Sequence, residues 1–139
     1  MKLYTVKDEY INFLRKYVSN VYDNKEDVRV HSRKYLGIVL KVSDFYYYIP
    51  MSSPKKSDYD KCGNIRKSIP PIVRLTSKYE QANKLVLKGT LRISNMIPVP
   101  KTELIEYEVE KEKDKTYKDL VKKEIDSIEK EWKNYIKIC

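Results

Sequence analysis

The stretch "YLGIVLKVSDFYYYIPMSSPKK", Tyr35 to Lys56, sets the fold class. Its first eight residues are rich in β-branched and aliphatic side chains and read as a buried strand. Ser43 and Asp44 supply a turn into "FYYYIP", so the two runs predict a β-hairpin. Proline brings no N–H to a ladder, so Pro50 and Pro54 forbid a continuing central strand and predict that the chain turns there. In that turn Ser52, Ser53 and Lys55 stand around a rigid Pro54, with Lys56 adjoining.

Working outward toward the N-terminus, "KLYTV" reads as a short strand. Thr5 with Asp8 three residues later has the form of a capping box. Tyr10, Phe13, Leu14, Tyr17, Val18 and Val21 follow at helical steps, which predicts a helix from Lys7 to Val21. The polar segment Tyr22 to Lys34 reads as a loop ending in "RVHSRK", which holds the single histidine, His31.

Toward the C-terminus, Ser57 to Ser68 is a polar, basic loop and "IVRL" a strand. Ser77 to Lys84 reads as a short helix. "LVLKGTLRIS" and "NMIPVP" predict a strand, a break and an edge segment limited by Pro98 and Pro100. "ELIEYEV" alternates, with Leu104, Glu106 and Glu108 on one face and Ile105, Tyr107 and Val109 on the other, which is the period of a half-buried strand. Thr116 and Asp119 form a second capping-box pattern. Tyr117, Leu120, Val121, Ile125, Ile128, Trp132, Tyr135 and Ile136 then make the apolar stripe of an amphipathic helix of about six turns. Strands framed by two helices predict one compact α+β domain over residues 1–139, with a twisted, largely antiparallel sheet.

Composition narrows the function. The chain has 139 residues, enough for one core, and is 35% charged and 41% hydrophobic, well outside the disordered class. Three glycines leave no glycine-rich phosphate cradle. Cys62 and Cys139 have neither metal-ligand nor disulfide-framework spacing, so no metal and no cofactor is expected. No apolar run approaches the roughly 18 residues of a membrane span. The opening "MKLYTVKDEY" lacks the apolar core of a signal peptide. These features predict a soluble, cytoplasmic protein with no membrane partner. Net charge is +9, placed unevenly: Arg29 to Pro100 holds 14 Lys and Arg against 4 Asp and Glu. A concentrated positive field suits a polyanion such as nucleic acid. The 13 tyrosines add rings that can stack on unpaired bases.

By itself the Ser-Ser-Pro-Lys-Lys turn reads as an ordinary solvated loop, and the chemistry it would suit is metal-free RNA cleavage. RNA can be cut without a metal if its own 2′-hydroxyl attacks the adjacent phosphorus. The protein must then align that hydroxyl with the leaving 5′-oxygen and stabilise charge on the non-bridging oxygens. A lysine supplies charge and donors, and neighbouring hydroxyls hold phosphate oxygens or relay a proton. The closest acids are Asp44, Asp58 and Asp60, too scattered for two-metal hydrolysis. A Ser-Lys hydrolase dyad is a poorer reading, because nothing supplies an evident oxyanion nest.

"YLGIVLKVSDFYYYIPMSSPKK" resembles the central motif of the ToxN/AbiQ family, the endoribonuclease toxins of type III toxin–antitoxin systems. "LRISNMIPVP", the opening "KLYTV…YINFL" and the late "YKDLVKKE" extend the resemblance, while Ser57 to Lys84 matches poorly and looks shortened. The resemblance implies a compact antiparallel sheet with helices around it, similar to the MazF/Kid ribonuclease toxins. It implies metal-independent cleavage of cellular or phage RNA to a 2′,3′-cyclic phosphate. The implied partner and inhibitor is a small structured antitoxin RNA of pseudoknot type, in a protein–RNA assembly, with a role in phage defence. Carried onto this chain, it gives Ser52 and Ser53 to phosphate positioning or proton relay and Lys55 to transition-state charge. Lys56, Lys61, Arg66 and Lys67, with Arg33, Lys34 and Tyr47, are the expected RNA contacts. Where the family often carries a tyrosine before the GIVL-like strand, ungapped correspondence places Arg29. Either Tyr35 or His31 takes over, or Arg29 contributes charge, or the alignment slips. An unperturbed imidazole titrates near pH 6.5, which suits His31 to proton transfer. Two other readings stand beside this one: a non-catalytic RNA-binding regulator, and a MazF-like toxin with a protein antitoxin.

Overall fold

The computed structural model describes residues 1–25, 31–79 and 83–135. Among them the architecture is α+β. The strands are β1 (Lys2–Val6), β2 (Tyr35–Val42), β3 (Phe45–Ser52), β4 (Ile72–Tyr79), β5 (Lys84–Arg92), β6 (Ile97–Pro98) and β7 (Leu104–Tyr107). The helices are α1 (Asp8–Arg15) and α2 (Lys115–Tyr135). The chain falls into two compact units, Met1–Met51 with Arg92–Glu108, and Ser52–Leu91 with Val109–Cys139.

In the first unit the strands lie in the order β3-β2-β1-β7, with β6 also on β3, and every pair is antiparallel. The predicted hairpin is present: Val42 faces Phe45 across the two-residue loop Ser43–Asp44. Its register shifts between Leu36 and Leu40. At Gly37 the ring of Tyr48 packs against the bare Cα, so any side chain there would strike it. Val6, Ile11, Val21, Tyr35, Tyr48, Ile97 and Val99 form the core of this unit.

Several expectations are corrected here. β3 does not stop at Pro50 but runs to Ser52. Pro50 sits opposite Tyr35, and the ladder resumes at once, with the Met51 N–H donating to the Lys34 carbonyl at 2.9 Å. Helix α1 ends at Arg15 rather than Val21. A short helix persists in water only while it packs a face, and Tyr17 is 75% exposed with Val18 also outward. Of the distal apolar positions only Val21 reaches the core, and the Arg15 guanidinium donates to its carbonyl. The expected Thr5–Asp8 box is absent, since Lys7 is the N-cap and no side chain caps the helix. Asp8 instead accepts a hydrogen bond from the Asn24 amide at 2.9 Å. In β7 the alternation is imperfect: Ile105 is exposed, and Leu104 and Tyr107 are the half-buried pair.

In the second unit β4 neighbours β5, and α2 packs on β4. Val73, Leu75, Leu87 and Leu91 from the strands and Val121 and Ile128 from the helix are buried. The expected helix at Ser77–Lys84 is not formed: β4 runs to Tyr79 and β5 begins at Lys84. Thr76 and Ser77 take strand geometry because β4 has α2 to cover it, with the Thr76 N–H donating to the Ser127 hydroxyl at 3.1 Å. The N-terminus of α2 is capped by Asp114, whose carboxylate accepts the Tyr117 N–H at 3.1 Å, two residues earlier than the Thr116 of the Thr116–Asp119 pattern. Asp119 pairs along the helix with Lys123 at 3.0 Å. Of the predicted stripe, Ile136 lies outside the described residues.

Candidate active site

β3 delivers the chain to the turn between Ser52 and Lys55. Ser52, the last residue of the strand, is buried, and its hydroxyl has no hydrogen-bond partner among the described residues. Ser53, Pro54 and Lys55 are exposed. A buried hydroxyl without a partner loses about 1–3 kcal/mol.

Lys55 is fixed through its main chain. Its backbone is extended (φ −118°, ψ 160°) and is followed by one 3₁₀ turn, Lys56–Asp58. The Lys55 carbonyl accepts the Asp58 N–H at 2.9 Å, and the Lys55 N–H donates back to Asp58 Oδ2 at 2.8 Å. Asp58 has no solvent exposure. Its Oδ1 accepts from Arg74 Nε at 3.1 Å and pairs with Arg74 Nη2 at 3.1 Å. The turn therefore presents two exposed residues, Ser53 and Lys55, on a backbone tied to β4. Donors and positive charge so placed can hold a phosphoryl group and stabilise the extra negative charge of its transition state.

A second close contact lies beside Ser52. A Cβ at Gly89 would collide with the carboxylate of Glu124 and would sit 3.1 Å from the Ser52 carbonyl oxygen. Glu124 is buried, so its head group cannot swing freely to water. Gly89→Ala is expected to cost about 1–3 kcal/mol, the usual penalty of overfilling a packed site. Urea unfolding of the two proteins measures it, and an unchanged midpoint would show that Glu124 relaxes without cost.

The basic loop follows in the same unit. Asp60 Oδ1 accepts the N–H groups of Cys62 and Asn64, both at 2.9 Å, and these bonds hold its carboxyl below the usual carboxylate range. Tyr59 bridges to Ile65, and Arg66 Nε donates to the Ser57 carbonyl at 3.2 Å. Lys56, Lys61, Arg66 and Lys67 are all exposed on this scaffold.

The remaining sequence candidates belong to the first unit, and three of them turn inward. Arg33 is buried, donates to the carbonyls of Met51 at 2.8 Å and Asp23 at 3.0 Å, and lies over the Tyr22 ring. Lys34 is buried, with its ammonium on the Ser32 carbonyl at 2.6 Å and over the Tyr107 ring. Both expected RNA contacts are thus used internally. Tyr35 is fully buried in the core, and burial pushes its phenol up to about 12. His31 and Tyr47 are half-buried. Arg29 lies outside the described residues.

Sequence reasoning missed Asp58, Arg74, Gly89 and Glu124 as parts of this site. Asp58 carried a local signal, an acid three residues past Lys55 at capping-box spacing. The other three become visible only when distant segments meet. Among the described residues, no three His, Cys, Asp or Glu side chains cluster so as to hold a metal ion. No described helix is long and apolar enough to cross a membrane.

Comparison with known proteins places the whole chain. The chain is 41% identical over 105 residues to endoribonuclease AbiQ of Lactococcus lactis subsp. lactis, covering 76% of this chain and 54% of that protein. It spans about half the length of the curated relatives it matches. A solved structure of AbiQ, described as a lactococcal anti-phage endoribonuclease of a type III toxin–antitoxin system, superposes with a TM-score of 0.68. The identity there is 32%, over 94% of this chain and 72% of that one. A second structure, of a type III system in which a non-coding RNA pseudoknot selectively inhibits the toxin, gives a TM-score of 0.70 at 29% identity. That match covers 91% of this chain and 68% of the other. The model of the family described as toxin ToxN, type III toxin–antitoxin system, matches residues 2–138. With the hydroxyl-hydroxyl-Pro-Lys turn in place and the family pattern running nearly from end to end, this chain belongs to the ToxN family of type III toxins.

Proposed function

We propose that this chain is a metal-independent endoribonuclease, the toxin of a type III system, held inactive by a structured antitoxin RNA. One observation carries the reading: Ser53 and Lys55 stand exposed on a turn whose backbone is fixed by a buried ion pair. In the reaction the 2′-hydroxyl of the substrate attacks the adjacent phosphorus, the bond to the 5′-oxygen breaks, and a 2′,3′-cyclic phosphate forms. Lys55 supplies charge to the non-bridging oxygens, and Ser53 and Ser52 orient the phosphate. Of the sequence candidates for proton transfer, His31 is tested by His31→Gln: a lower cleavage rate assigns it the role, and an unchanged rate removes it from the mechanism. A cytoplasmic site of action fits RNA as both substrate and inhibitor, and phage defence fits the similarity to AbiQ. Residues 1–139 work as one domain on this reading, in keeping with a single family match over 2–138.

The test is cleavage of RNA by the purified chain with and without EDTA. The expected products carry 2′,3′-cyclic phosphate and 5′-hydroxyl ends, at a rate that chelation does not change. Activity lost on chelation and restored by magnesium, or 3′-hydroxyl products, would replace this chemistry with a metal-assisted one.

A further inference from the structure

The turn Lys55–Asp58 and strand β4 are joined by a polar network that the cleavage chemistry does not itself require. Asp58 spends Oδ2 on the Lys55 N–H at 2.8 Å and Oδ1 on Arg74. Its own N–H and carbonyl are taken by the Lys55 carbonyl and the Arg66 N–H, each at 2.9 Å. Arg74 also donates through Nη1 to the Lys67 carbonyl at 2.8 Å, and its N–H donates to the Ser68 hydroxyl at 2.7 Å. Asp58 is wholly buried and the Arg74 side chain 9% exposed. A buried ion pair of this kind adds little stability over well-packed apolar residues of similar volume. What it adds is direction. A carboxylate anchored by a guanidinium on a strand holds the Lys55 amide at one position and orientation.

We infer that Asp58 and Arg74 are positioning residues for Lys55, setting the path of its backbone so that the ammonium meets the scissile phosphate in the transition state. The inference rests on the endoribonuclease reading and deepens it. Neither residue touches RNA. Their effect is transmitted by the hydrogen bond to the Lys55 N–H, so it falls on kcat and leaves substrate binding by the exposed Lys56, Lys61, Arg66 and Lys67 largely intact. A displacement of about 1 Å in a group that acts in the transition state can cost roughly 10² in rate.

Two double variants separate positioning from mere stability. Asp58→Leu/Arg74→Met removes the acceptor for the Lys55 N–H together with both members of the buried pair. Asp58→Asn/Arg74→Gln also removes both charges but retains an amide oxygen for the Lys55 N–H. Short RNA cleavage gives kcat and KM, and hydrogen exchange by NMR reports protection of the Lys55 amide. The expected result is a kcat about 10²-fold lower in the apolar pair, with KM within about threefold of wild type and the Lys55 amide deprotected. The amide pair should keep kcat within about tenfold of wild type, with the amide protected. Equal kcat in the two folded variants overturns the inference. If the apolar pair does not fold, the amide pair decides: retained kcat with a protected amide supports the inference, and a hundredfold loss with a protected amide overturns it. Wild-type protein that cuts no RNA would remove the nuclease reading itself, a result distinct from any of these.

Discussion

Lys55→Ala is expected to lower the rate of RNA cleavage by about 10²- to 10³-fold while leaving the protein folded. The size of the effect follows from where the side chain acts. A charge placed against oxygens that become more negative in the transition state lowers the barrier more than it strengthens ground-state binding. The fold should survive because Lys55 contributes its N–H and carbonyl to the turn and keeps its side chain exposed. Alanine supplies the same two backbone groups. Single-turnover cleavage with circular dichroism of the same sample makes the measurement. A folded Lys55→Ala protein that cuts at the wild-type rate would take Lys55 out of the mechanism. Lys55→Arg should recover only part of the rate, because a planar fork does not place its charge where a point ammonium does.

Affinity for the antitoxin RNA is expected to fall about 10²-fold between 50 and 200 mM monovalent salt. Lys55, Lys56, Lys61, Arg66 and Lys67 are exposed along one turn and its following loop. If each neutralises one phosphate of a single-stranded segment, log K against log salt has a slope near −3.5, at about −0.7 per contact. Replacing Lys61 and Lys67 together by alanine should make that slope shallower by about 1.4. Arg33 and Lys34 contribute nothing to it, since both cations are committed to internal partners. Fluorescence anisotropy at four salt concentrations is sufficient. A flat salt dependence would place RNA recognition on something other than phosphate contacts. A complex that still cleaves added RNA at full rate would place the antitoxin away from the Ser52–Lys55 turn.

By itself the sequence determined the elements whose signal is local and repeated. The β-branched run of β2, the two-residue turn and the aromatic run of β3 specify a hairpin wherever they are placed, because strand propensity and turn chemistry act over a few residues. The apolar stripe of α2 specified a helix for the same reason, and Val121 and Ile128 are buried as its period requires. The break after Ser52 was legible only in part: Pro54 marks it, whereas Pro50, read as the end of the strand, lies inside β3. Tertiary structure decided the rest. Helix α1 stops at Arg15 because Tyr17 and Val18 find no surface to pack on, which no periodicity can reveal. Thr76 and Ser77 extend β4 because α2 lies against that strand. Arg33 and Lys34 read as RNA contacts and instead fold inward, since burial depends on carbonyls and rings contributed by other residues. Arg74 reaches Asp58 across 16 positions, and Glu124 reaches Gly89 from another element altogether. A charge becomes a partner only when folding brings its counter-charge within about 4 Å and removes the water between them, and that distance is written in the packing of the chain rather than in its order.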